Sequence, residues 1–97
     1  MISFEWDEAK NRRNQRKHGV AFRQACRVFD DPNALMALDS IEHGEERWRA
    51  IGRVEADAVV VVAHAVHMRA GTEVIRIISA RRASQQESER YEAQVFF

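Results

Sequence analysis

The spacing of apolar positions predicts two helices near the start of the chain. Residues 8–18 are almost entirely polar, with Asp7 as a candidate N-cap and Gly19 as a C-terminal stop. A second helix is predicted from Val20, because apolar residues recur at helical spacing, and residues 30–32 are expected to end it. The four positions of this apolar stripe are Phe22, Ala25, Cys26 and Phe29.

Four strands are predicted in the rest of the chain, each from an alternating or β-branched pattern. The segments are 34–39, 45–53, 58–67 and 73–82. The valine-rich run in the third segment predicts a central position in the sheet. Residues 40–44 and 54–57 are expected to form a turn and a loop. Ser84 and Glu87 have the spacing of a capping box, which predicts the start of a final helix.

This order of elements predicts an α+β fold with two N-terminal helices, a four-stranded, mainly antiparallel sheet and a C-terminal helix. Long strands joined by short turns indicate a meander, and we expect the helices to cover one of its faces. Residues 3–6 are expected to be only an extended lead-in. The length of 97 residues fits one domain, 1–97.

The cellular location is predicted from the absence of membrane-span and signal-peptide features in the sequence. No stretch reaches the ~18 consecutive apolar residues of a membrane span. No signal peptide is visible, and the single cysteine, Cys26, excludes an internal disulfide. We therefore expect a cytoplasmic protein.

Charge is distributed in blocks, although the formal net charge is zero. Residues 9–29 hold seven basic residues and no acid, whereas residues 30–46 hold six acids and no lysine or arginine. There are 13 arginines and only 2 lysines, and guanidinium binds phosphate through two donors at once. The pattern favours a nucleic acid or another phosphate partner. The alternative is that these arginines are solvated or paired with the acidic block.

A series of ordered motifs resembles the BrnT toxin family along nearly the whole chain. They are Phe4-Glu5-Trp6-Asp7, Lys10-Asn11, Asn14, Lys17-His18-Gly19-Val20 with Phe22, Val28-Phe29-Asp30-Asp31-Pro32, Glu46-Arg47 with Ile51-Gly52, and Arg76-Ile77-Ile78-Ser79-Ala80-Arg81-Arg82-Ala83 with Glu87 and Tyr91. The resemblance implies the toxin of a type II toxin–antitoxin system, with a RelE-like fold and a ribonuclease activity that inhibits translation. It also implies a BrnA-like ribbon-helix-helix antitoxin, contact with promoter DNA only through that antitoxin, and a heterotetramer of two toxins and two antitoxins.

RNA cleavage without a metal needs a base for the ribose 2′-OH, cations for the phosphate and an acid for the leaving oxygen. The candidates for catalysis are Arg47, His64, Arg76 and Arg81, and those for RNA binding are Lys10, Lys17, Arg49 and Arg82. No cofactor or metal is expected, because carboxylates and imidazoles do not cluster at ligand spacing. The alternative function is a non-catalytic RNA- or protein-binding module with an arginine-rich patch.

Each candidate also has a purely structural interpretation. Alternation along the last strand predicts that Arg76 and Arg82 share one face and that Arg81 lies on the other. Arg76 can lie on the solvent face or pair with Glu45, Glu46 or Glu73, and Arg81 can fasten the final helix through an acid such as Glu87. His64 can instead be an ordinary polar residue of its strand. The face of the first helix that carries Lys10 and Lys17 can be structural, with Asn14 and His18 joining the first two helices by hydrogen bonds.

Overall fold

The structure, a computed structural model, describes residues 2–55 and 58–95, which form five strands, three α-helices and a 3₁₀ helix. The strands are β1 (Ile2–Glu5), β2 (Leu35–Glu42), β3 (Glu45–Glu55), β4 (Ala58–Arg69) and β5 (Thr72–Arg82). The helices are α1 (Glu8–His18), α2 (Phe22–Ala25), the 3₁₀ helix (Cys26–Asp30) and α3 (Gln85–Ala93). The predicted α+β class is confirmed.

The strands form one sheet in the order β1-β5-β4-β3-β2. Strands β2 to β5 make the predicted antiparallel meander, and the valine-rich β4 is central. The prediction of four strands was wrong, because β1 pairs in parallel with the start of β5, from Ile2 opposite Glu73 to Glu5 opposite Arg76. Four residues are too few to display an alternation, and their partner strand lies near the other end of the chain.

The predicted turn and loop are shorter than expected. Strand β2 continues to Glu42, so the turn is reduced to His43 and Gly44, both with positive φ (54° and 77°). Strand β3 continues to Glu55, and the remaining two residues of the predicted loop, 56–57, lie outside the described part of the chain.

The second predicted helix is split into α2 and the 3₁₀ helix. Its fully buried residues are Phe22, Ala25 and Val28, which recur every three positions, and this is the period of a 3₁₀ helix. Val28 packs on Gly52 of β3, where an added Cβ would lie only 2.9 Å from the Val28 Cγ1 atom. The glycine therefore permits the close approach of the 3₁₀ helix to the sheet.

The predicted helix caps are confirmed. The Lys10 amide donates to the Asp7 carboxylate at 3.0 Å, and Gly19 ends α1 with φ 72°. In the capping box of α3, the Glu87 amide donates to the Ser84 hydroxyl at 3.1 Å, and the Ser84 amide donates to the Glu87 carboxylate at 2.8 Å.

Helices pack on both faces of the sheet, so the expectation of one covered face was wrong. One apolar cluster joins Val60 and Val62 of β4 to Phe22 and the other residues of α2 and the 3₁₀ helix. A second cluster joins Val59 and Val61 to Tyr91 of α3. Successive residues of a strand point to opposite faces of the sheet. We call the face that carries Val60 and Val62 the α1 face, and the face that carries Val59 and Val61 the α3 face.

Candidate active site

A β-bulge in β5 determines which arginines lie together. Ala63 of β4 is opposite Ser79, but the next residue of β4, His64, is opposite Ile77. Ile78 therefore has no cross-strand partner on β4, and the alternation of faces along β5 is inverted beyond it.

The bulge places Arg76 and Arg81 on the same face. Residues directly opposite each other in an antiparallel pair point to one side of the sheet. Arg76 is opposite Ala65 and Arg81 is opposite Val61, and both of these β4 residues belong to the α3 face. The predicted grouping of Arg76 with Arg82 was wrong, because it assumed an uninterrupted strand.

Arg47 and Arg49 of β3 lie beside them on the α3 face. Arg49 is opposite Ala63, and Arg47 lies two residues earlier on the same strand. The β4 residues between the two arginine-bearing strands, Ala63 and Ala65, are small. We call Arg47, Arg49, Arg76 and Arg81 the arginine face.

A glutamate lies between two of these arginines. The Arg76 Nη2 atom donates to Glu45 Oε1 at 2.5 Å, and the Arg47 Nε atom lies 3.7 Å from the same oxygen. Arg47 also lies 3.5 Å from Glu42. The hydrogen bond from Arg76 holds the pKa of the Glu45 carboxyl below its ordinary value, so Glu45 is ionised at neutral pH.

The fourth arginine fastens α3 to the sheet. Arg81 donates two hydrogen bonds to Glu87, at 2.7 and 2.9 Å, and these bonds lower the pKa of Glu87 to about 2. The Glu87 side chain is only 13% exposed, whereas Arg81 is 42% exposed. Arg81 therefore makes the contact with Glu87 that its structural interpretation predicted, and part of its side chain remains exposed to solvent.

His64 lies on the opposite face from the arginines. It is 2% exposed, and its ring packs edge-on against Phe29, with centroids 4.8 Å apart at 87°. Its Nδ1 atom has no hydrogen-bond partner among the described residues, and burial lowers the pKa of the ring. The sheet thus separates this imidazole from the arginine face, and its predicted catalytic role stays a prediction.

The remaining candidates for RNA binding lie outside the arginine face. Arg82 is opposite Val60, on the α1 face, and is exposed. Lys10 and Lys17 are exposed on α1, where they line a cleft beside β5.

Sequence reasoning treated Glu45 only as a possible ion-pair partner. The sequence did contain a signal that Glu45 belongs to the candidate site. Glu45, Arg47 and Arg49 are alternate residues of one strand, so their side chains must share a face. The sequence offered Glu45 as one of several possible partners of Arg76, and the bulge selects it, because the bulge places Arg76 on the face that carries Glu45.

Other functional groups are limited in the described part of the chain. Among residues 2–55 and 58–95, no three His, Cys, Asp or Glu side chains are grouped closely enough to hold a metal ion. Burial raises the pKa of the Cys26 thiol to about 11, which makes this side chain a poor nucleophile. None of the described helices has the length and apolar character needed to cross a membrane.

A comparison with family models identifies the class of protein. The model described as "Ribonuclease toxin, BrnT, of type II toxin-antitoxin system" matches residues 6–87. The chain therefore belongs to the BrnT family, as its sequence motifs predicted, and is a ribonuclease toxin of a type II toxin–antitoxin system.

A solved structure of this family is similar in fold. The crystal structure of the ribonuclease toxin BrnT of Brucella abortus, at 1.1 Å resolution, superposes with a TM-score of 0.66 and 26% sequence identity. The match covers 88% of this chain and 100% of that chain. A comparison with curated proteins found no match.

Proposed function

We propose that this toxin is a metal-independent endoribonuclease of the cytoplasm that stops translation by cutting RNA. The observation that carries the proposal is the position of Glu45, an ionised carboxylate between Arg47 and Arg76 on an open sheet face. A base next to two cations matches the requirements of phosphodiester cleavage by the neighbouring 2′-OH.

In the proposed reaction, Glu45 takes the proton of the ribose 2′-OH. The 2′ oxygen then forms a bond to phosphorus, the bond between phosphorus and the 5′ oxygen breaks, and water protonates the leaving oxygen. The products are a 2′,3′-cyclic phosphate and a free 5′-OH. A positioned general base typically contributes about 10²–10⁴-fold to such a rate.

The arginines have donors left for the phosphate. Arginine carries five N–H donors, and Glu45 uses one of those on Arg76 at hydrogen-bond distance. The buried Nε atom of Arg47 has no hydrogen-bond acceptor within the described residues. A buried donor without an acceptor is unfavourable, so a shift of the partly exposed Arg47 side chain that brought this atom to a phosphate oxygen would stabilise the site.

The second candidate function is the non-catalytic binding module. It is favoured by the ion pairs themselves, since Arg47 and Arg76 contact Glu45, and Arg81 contacts Glu87. On this interpretation the pairs stabilise the fold, and the face binds RNA or protein without reaction.

The deciding experiment compares Glu45→Gln with Glu46→Gln. Glu46 is the adjacent glutamate, is exposed, and is opposite Ile41 on the other face, so it is a matched control. With purified proteins in excess chelator, we expect Glu45→Gln to cut RNA at least about 10²-fold more slowly than wild type, and Glu46→Gln to cut normally.

The cleavage products test the same proposal. Replacing the 2′-OH by hydrogen at the cut site should abolish cleavage, and the products of ordinary RNA should carry cyclic phosphates. A folded Glu45→Gln variant with wild-type activity would refute the role of Glu45. Activity that chelator removes and magnesium restores would refute metal independence. Growth arrest with intact RNA would support the binding module.

The antitoxin partner requires apolar surface in addition to charge. Five exposed apolar side chains are assigned by strand register to the α1 face, beyond the part that the helices cover, and we call this surface the apolar shelf. They are Met36, Leu38, Ile41, Val66 and Met68. The acidic Glu46 lies among them, so the complementary surface is apolar with basic residues.

We propose that the antitoxin covers this shelf. Stable neutralisation needs burial of standard interface size, about 1,600 Å² in total. We further propose that the partner is a BrnA-like ribbon-helix-helix protein. Since that fold is built as a dimer, it would assemble with two toxins into a heterotetramer and would contact promoter DNA itself.

A further inference from the structure

A cationic cleft of about 420 Å³ lies between α1 and the edge of β5. Lys10, Arg13 and Lys17 line it from the helix, and Ile78 and Ser79 line it from the strand. No Asp or Glu is among the described residues that line it.

The cleft exists because β5 lacks a neighbouring strand at this point. Strand β1 pairs with β5 only as far as Arg76, and α1 lies along the rest of that edge. Asn14 holds the helix there, because its side chain donates to the Ala80 carbonyl at 2.8 Å and accepts from the Ala80 amide at 3.1 Å. The positions of the neighbouring α1 cations relative to the sheet are thereby fixed.

The charges of the cleft are balanced only in part, because Asp7 at the start of α1 interacts electrostatically with Lys10 and Arg13 without pairing with them directly. Within the described part of the chain, no carboxylate lies within ion-pairing distance of Lys10, Arg13 or Lys17. This contrasts with Arg47, Arg76 and Arg81, each of which contacts a glutamate. Three converging cations repel one another, and an anion in the cleft would relieve that repulsion.

The cleft and the arginine face are continuous at the bulge. Ser79 lines the cleft, yet it is opposite Ala63 and so points to the face that carries Arg81. A strand of RNA on the arginine face can therefore pass over Ser79, at the edge of β5, into the cleft.

We propose that the cleft between α1 and the β5 bulge binds backbone phosphates of single-stranded RNA several nucleotides away from the cleaved bond. This inference rests on the proposed function, because it assumes that RNA lies on the arginine face. It adds a second anion site, including Arg13, and predicts that affinity depends on RNA length. A short RNA occupies the arginine face alone, whereas a longer one also reaches the cleft.

The test measures binding without cleavage, so that its failure is distinct from a failure of the proposed chemistry. The probes are 2′-O-methyl RNAs of about 4 and about 12 nucleotides, lengths that small single-strand-binding domains cover. The test variant is Lys10→Gln/Arg13→Gln/Lys17→Gln. The matched control is Arg12→Gln/Arg16→Gln, which removes two exposed cations of the same helix outside the cleft.

We expect the test variant to lose the advantage of the long RNA over the short one. Each phosphate contact to a single strand contributes a salt slope of about 0.7, so three contacts at 0.15 M salt correspond to a loss of up to about 50-fold and a slope smaller by about 2. The control should lose much less of the long-RNA advantage. Equal losses for test and control, or equal losses for both RNA lengths, would overturn the proposal.

Discussion

The Arg81–Glu87 pair gives a quantitative prediction about folding. In the folded protein the pKa of Glu87 falls from its ordinary 4.5 to about 2, chiefly through the two hydrogen bonds from Arg81. That drop corresponds to about 3 kcal/mol of preference for the charged form. Because Arg81 is 42% exposed and solvent screens the pair, we expect Glu87→Gln to destabilise the fold by about 2 kcal/mol at pH 7.

Thermal unfolding gives the first measurement. For a chain of this size, about 2 kcal/mol corresponds to a Tm lower by roughly 8–16 °C. Glu89→Gln is the control, because Glu89 is an exposed residue of the same helix with no ion pair among the described residues. That substitution should change stability by no more than about 0.5 kcal/mol.

The dependence on pH identifies the cause. A carboxyl whose folded pKa is depressed contributes stability above its unfolded pKa, and this contribution is lost as the pH falls through the folded value. The difference between wild type and Glu87→Gln should therefore be full above pH 4.5 and should decline towards pH 2. A difference that stays constant across this range, or a variant as stable as wild type, would refute the electrostatic explanation.

Three further substitutions test the site and its surroundings. Arg76→Ala should leave a folded protein that cuts RNA about 10²–10³-fold more slowly, measured with purified enzyme, and unchanged cleavage would remove Arg76 from the mechanism. His64→Gln should lower the stability in urea unfolding by about 1–3 kcal/mol, because its ring packs on Phe29, and wild-type cleavage by the folded variant would end the predicted catalytic role of His64. Leu38→Glu on the apolar shelf should weaken antitoxin binding at least tenfold, or about 1.4 kcal/mol, whereas Val95→Glu, also exposed but beyond the end of α3 and outside the shelf, should bind normally in titration calorimetry.

The features that the sequence predicted correctly are those with a local cause. The caps at Asp7, Gly19 and Ser84 depend on residues no more than four positions away, and each has the predicted geometry. The central position of β4 follows from its run Val59-Val60-Val61-Val62, which is buried on both faces. The family resemblance likewise depends on short ordered motifs, and the match over residues 6–87 confirms it.

The features that the sequence did not predict depend on residues that are far apart along the chain. Strand β1 acquires its structure from β5, and its four residues carry no pattern of their own. The bulge at Ile78 lies at the end of a mostly β-branched run, with no glycine or proline to mark it, so the alternation was interpreted as continuous. That single extra residue moved Arg81 to the face of Arg76 and Arg82 away from it, and it therefore decided the composition of the candidate site.

The two groups of cations differ in what they can contribute to RNA binding. On the arginine face, glutamates already satisfy part of the charge, so a phosphate there must share donors with Glu45 or Glu87 and gains less net free energy. In the cleft beside α1, no described carboxylate pairs directly with Lys10, Arg13 or Lys17, so a phosphate there displaces no ion pair. The two proposals together separate affinity from catalysis in space: in them the cleft holds the RNA, while the paired arginines and Glu45 form an arrangement that is most favourable once negative charge develops on the reacting phosphate.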